Sequence, residues 1–140
     1  GIVVLSRDFI EKAKTPEVAA GEILAADQRA RDDDPMQAVL GFAGLPAAIT
    51  LLTSGDLPRD ALKGYGEKLL TTPPAPVDNR TLLDRFADAG VSSADYAYSV
   101  DPSGETVLPL IEANPFRDHA PDRPLLDDTD WVAAQGICGG

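Results

Sequence analysis

Thiol and imidazole are the side chains best suited to act as nucleophile and base near neutral pH, and this 140-residue chain carries one of each, Cys138 and His119. A working pair needs a lowered thiol pKa and a third group that orients the base. Cys138 sits in Gly136-Ile137-Cys138-Gly139-Gly140, and His119 sits in the polar, proline-rich stretch 114–124, so the local sequence preorganises neither. Zinc fares no better, because one Cys and one His do not close a tetrahedral shell without several carboxylates. A single cysteine also forms no internal disulfide, so its count marks no oxidising compartment.

Carboxylates are the abundant chemical resource, at 23 Asp and Glu against 12 Lys and Arg, for a formal charge of −11. Two runs stand out: Asp32-Asp33-Asp34 and Asp127-Asp128-Thr129-Asp130-Trp131-Val132. Neither has the spaced ligands, central glycine and closing glutamate of a calcium loop. The second run contains Asp-x-Asp-x-Val, which superficially matches the nucleophile motif of haloacid dehalogenase-type phosphatases. That chemistry puts the first aspartate at the end of a buried apolar strand, whereas Asp127 interrupts the apolar approach here. Helix capping accounts for both runs, since carboxylates accept from free amides and favour the positive end of a helix. Gly-x-Gly-x-x-Gly, Walker-type and Gly-x-Ser-x-Gly patterns are missing. Gly139-Gly140 is similar to the tail of ubiquitin-like modifiers, which are strand-dominated folds, whereas this chain reads as helical. No residue is therefore assigned a catalytic, cofactor-binding or metal-ligating role, and no cofactor is expected.

The elements that must position any site are short. Twelve prolines and twelve glycines break the chain often, and eight aromatic residues leave a mainly aliphatic core. Between Asp34 and Asp56 lie 21 residues without a charge, near the roughly 20 that span a bilayer. Gly41, Gly44 and Pro46 interrupt them and both flanks are acidic, so two buried helices are expected rather than a span. Asp34 caps the first, over 35–43; Gly44 closes it, and Pro46 starts the second, ending near Thr53. The hydrophobic core is accordingly placed in 35–55.

Around it, Ser6 caps a helix running through Lys14, and Thr15-Pro16-Glu17 starts another. In that second helix Ala19, Ile23, Ala26 and Ala30 form the inward stripe, and Asp27 and Arg31 lie four apart on the solvent side. Asp56 opens a helix with Leu62, Tyr65 and Leu69 on one face. Residues 71–78 form a proline-rich connector. Asn79 caps a helix burying Leu82, Leu83 and Phe86, stopped by Gly90. Tyr96, Tyr98 and Val100 alternate with small or polar residues. With the turn Asp101-Pro102-Ser103-Gly104 and the return run 105–108, they predict a β-hairpin. A last helix near 128–135 docks through Leu125, Leu126, Trp131 and Val132.

The expected fold is thus mainly α: five to seven short helices around 35–55, with a small β-hairpin in the C-terminal third. One domain spans 1–140, with an N-terminal unit 1–70, the connector 71–78 and a smaller unit 79–140. The expected function is that of a non-enzymatic acidic interaction protein: an adaptor, an assembly or secretion chaperone, an inhibitor or immunity protein, or a structural subunit of a larger complex. Its partner would be another protein with a basic or mixed surface, and the chain itself a subunit of an oligomer or larger assembly. The acidic field disfavours direct nucleic-acid binding, no membrane association is expected, and the opening residues carry no basic signal region, so cytoplasm is the expected compartment. Candidate partner contacts are Asp32, Asp33, Asp34, Tyr96, Tyr98, Asp127, Asp128, Asp130 and Trp131. Two other classes stay open: a small carboxylate- or Cys-dependent hydrolase or transferase, and a nucleic-acid mimic that fills a basic groove.

Overall fold

A computed structural model describes residues 3–137. Among them the chain forms nine helices and no strand: α1 (Arg7–Lys12), α2 (Pro16–Asp32), α3 (Pro35–Ala43), α4 (Leu45–Ser54), α5 (Tyr65–Thr71), α6 (Asn79–Ala89), α7 (Ala94–Val100), α8 (Leu108–Glu112) and α9 (Asp128–Gly136). Their starts are set by local capping. Side-chain oxygens of Ser6, Asp34, Asp78 and Asp127 accept from the amides of Phe9, Met36, Thr81 and Asp130 at 2.8–3.1 Å. Gly44 (φ 85°) ends α3, and Gly90 (φ 67°) ends α6 in the left-handed region that a β-carbon disfavours. The cap of α6 lies one residue before the expected Asn79, whose side-chain amide instead donates to the Thr106 carbonyl at 2.9 Å.

The chain divides into two compact units, 1–28 with 77–140 and 29–76. These do not follow the 1–70 and 79–140 division that the prolines suggest. The reason is burial: α1 and most of α2 supply side chains to cores built with the C-terminal helices.

In the unit formed by 1–28 and 77–140, one core gathers Ala25, Leu82, Phe86, Val91, Tyr96, Ala97, Val107 and Leu110. Phe86 and Tyr96 meet with ring centroids 5.6 Å apart. A β-carbon at Gly21 would collide with the Tyr96 ring, so the glycine is what lets α2 approach α7. Asp27 on α2 ion-pairs with Arg85 on α6. A second, smaller core joins Ala13, Val18 and Ala19 to Trp131, flanked by Phe9, Ile10 and Ala134. Gln135 ties α9 to the turn after α1, donating to the carbonyls of Ile10 and Ala13 at 3.1 and 3.0 Å. Leu125, Leu126 and Val132, expected to dock with Trp131, are exposed.

The β-hairpin expected in the C-terminal third is absent; α7, a turn and α8 occupy that stretch. The buried positions are Ser93, Tyr96 and Ala97, the i, i+3, i+4 spacing of a helix, while Tyr98 and Val100 are exposed. Alternation of aromatic and small residues misleads there because only one tyrosine of the pair is a core residue. The Asp101-Pro102-Ser103-Gly104 turn does form, between two helices. The helix count also exceeds the five to seven expected. In α2 the buried residues are Val18, Ala19, Gly21, Ala25 and Gln28, so of the expected stripe Ala19 is buried and Ala26 half-buried, whereas Ile23 and Ala30 are exposed. Residues 59–64 are turns, so no helix starts at Asp56.

The placement of the core in 35–55 is likewise corrected. In the unit 29–76, Ala47 is the one hydrophobic residue that is buried among those described. α3 and α4 contact each other, and their axes bend by 118° at the break between them. Phe42 and Tyr65 meet at a tilt of 52° with centroids 5.1 Å apart, and the Lys68 ammonium lies 5.3 Å from the centre of the Phe42 ring. Arg29 Nε donates to the Ala75 carbonyl at 2.9 Å, closing the unit's two ends on each other. No single described helix is long and apolar enough to cross a membrane.

Candidate functional site

The sequence-predicted contact residues fall into three settings. Asp32, Asp33 and Asp34 are exposed where α2 gives way to α3, and Asp34 is committed to capping α3. Asp127, Asp128 and Asp130 occupy the cap and first turn of α9, with Asp127 accepting the Asp130 amide at 2.8 Å. These two acidic runs belong to different units. The aromatics divide: Tyr96 and Trp131 are buried in the two cores, whereas Tyr98 is 50% exposed on α7. Only the acids and Tyr98 are therefore surface groups.

Tyr98 lines a cleft of about 400 Å³ in the unit 1–28 with 77–140, facing Lys14, Thr15, Asp95 and Pro102. Thr15 Oγ1 donates to Asp95 Oδ2 at 2.9 Å across that cleft, joining the start of α2 to α7. A second hydroxyl of its lining is engaged too, because Ser99 Oγ donates to the Tyr96 carbonyl at 2.7 Å. Lys12 at its edge lies 2.8 Å from Asp8. The cleft thus offers polar groups beside apolar walls, with the Thr15 hydroxyl bonded to the Asp95 carboxylate. His119 stacks edge-on to Phe116 at 5.8 Å, and Cys138, Gly139 and Gly140 lie outside the described residues. Among the described residues no three His, Cys, Asp or Glu side chains converge as a metal site.

Two buried or strongly bonded polar centres stiffen this unit. Ser93 Oγ donates to the Leu110 carbonyl at 2.5 Å, and its amide donates to Asn114 Oδ1 at 3.3 Å. Asn114 Nδ2 in turn donates to Ser92 Oγ at 3.0 Å, which locks α7 to the end of α8. Asp101 accepts from the Ser103 hydroxyl at 2.6 Å and from the Thr106 amide and hydroxyl at 2.9 and 2.7 Å. Those bonds, led by the Ser103 hydroxyl, hold its carboxyl well below the ordinary carboxylate range. Asp78 is lowered too, chiefly by the Thr81 amide that it caps.

No family model matches the chain, and no curated protein or solved structure gives a significant match.

The most unusual surface lies in the unit 29–76. Leu45 is 73% exposed, Leu52 84% and Leu70 90%, and Met36, Ile49 and Leu69 are each more than half exposed. The helices α3 and α4 that carry four of these contain no charged residue. Charge is partitioned in the same way. Residues 1–28 with 77–140 hold 17 acids and 7 bases, whereas 29–76 hold 6 acids and 5 bases. Apolar patterning signalled α3 and α4 in the sequence, but not that their side chains stay uncovered, because periodicity reports an apolar face and not what covers it.

Proposed function

We propose that the chain is a non-enzymatic interaction protein and that α3, α4 and α5 form its docking surface. One observation carries this: a 48-residue unit with a single buried hydrophobic side chain among those described has little core of its own. Burying apolar surface returns about 25 cal/mol per Å², and this unit leaves that stabilisation uncollected within the chain. A contiguous exposed apolar surface on a folded protein is the ordinary mark of an interaction site. The partner is another protein chain that presents apolar side chains to Leu45, Ile49 and Leu52, with basic groups placed to meet Asp32 and Asp33 at the rim. The acid-rich unit keeps the chain dispersed and repels nucleic-acid backbones.

Affinity capture from the native host tests this with the full chain and the Leu45→Asp/Leu52→Asp variant. Both positions are exposed, so the variant keeps the Trp131 and Phe86 cores. The expected result is one partner chain recovered in stoichiometric amount by the parent chain and lost from the variant. Equal recovery by both, or none by either, contradicts the proposal.

A further inference from the structure

Resting on the interaction function proposed above, we infer that the partner covering α3 and α4 is a second copy of this chain, paired about a two-fold axis. The first argument is symmetry. In a two-fold interface, residues near the axis meet their own copies, so a charge there faces a like charge. Most surfaces of a chain with 23 acids and 12 bases carry that penalty. Residues 35–55 carry no charge over 21 positions and expose Leu45, Ile49 and Leu52, so two copies bury apolar surface there without burying an ion.

The second argument is the charge balance of the unit. With 6 acids and 5 bases, the unit 29–76 is close to neutral. Two copies that meet through it therefore bring together little net like charge. A strongly basic partner gains little at so nearly neutral a unit and is better matched to the 17-acid unit. Repulsion between the acid-rich units is screened beyond roughly 8 Å at physiological salt. Pairing through 29–76 thus brings together the least self-repelling surfaces the chain has.

Sedimentation velocity on the purified full chain, from 1 to 200 µM in 0.15 M salt, provides the test. The expected result is a monomer–dimer equilibrium that shifts at least tenfold toward monomer in Leu52→Asp. Val132→Asp, at another exposed apolar position, on α9, serves as control and leaves the equilibrium unchanged. A chain that stays monomeric throughout overturns the inference, as does a dimer indifferent to Leu52→Asp or equally weakened by Val132→Asp. Host capture then separates the two levels. A different protein recovered through Leu52 by a monomeric chain preserves the interaction function and removes self-pairing, whereas no recovery removes both.

Discussion

Gly21 and Asp101 show how single residues hold the acid-rich unit together. Gly21 has no β-carbon where the Tyr96 ring lies, and Tyr96 is sandwiched between α2 and Phe86. Gly21→Ala is expected to force the helices apart and to cost about 1–3 kcal/mol, the usual range for overpacking. A urea midpoint equal to that of the parent chain would contradict this contact. Asp101 bonds to both Ser103 and Thr106 as a carboxylate, so its pKa is lowered on folding from the ordinary 3.8. A lowered carboxyl contributes stability that is fully present above the unfolded value and is lost as pH falls through the folded one. Asp101→Asn is expected to flatten the fall in melting temperature below pH 4, with an unchanged acid slope as the contrary result. Capping chemistry is local, so Ser6, Asp34 and Gly90 were legible in the sequence. Gly21 was not, because a helical glycine signals nothing until the ring opposite it is known.

At the scale of elements, the turn at 101–104 was legible but not what it joins. Tyr96 and Tyr98 favour strands by propensity, yet Ser93, Tyr96 and Ala97 are buried together at helical spacing, and packing overrides propensity. Ser93 then spends its hydroxyl on the Leu110 carbonyl, which fixes α8 against α7. The ends of α6 are equally specific. Gly90→Ala places a β-carbon at φ 67° and is expected to cost about 1 kcal/mol. Thermal unfolding followed by circular dichroism checks it, and a melting temperature at or above the parent value would contradict it. Residues 35–55 carry the opposite lesson: their helices and the Gly44 break were legible, while their burial was misplaced. An apolar run states a need for cover, and the cover can come from another chain.

At the scale of the whole molecule, the two units differ in core and in charge. Residues 1–28 with 77–140 contain both hydrophobic cores and most of the acid excess. Among the described side chains of 29–76, Ala47 is the one buried hydrophobic residue, and the charge of the segment is nearly balanced. Local stability follows buried apolar contact, so the two units are expected to open independently. The sequence showed the uneven acids and the charge-free run but not the division, since 1–28 joins 77–140 only through long-range contacts such as Thr15 with Asp95. Amide hydrogen exchange on the Leu52→Asp chain at low micromolar concentration tests most directly whether 29–76 lacks a core of its own. The account predicts that amides in α3 and α4 exchange at least about a hundredfold faster than those in α6 and α7. Comparable protection in all four helices would contradict it.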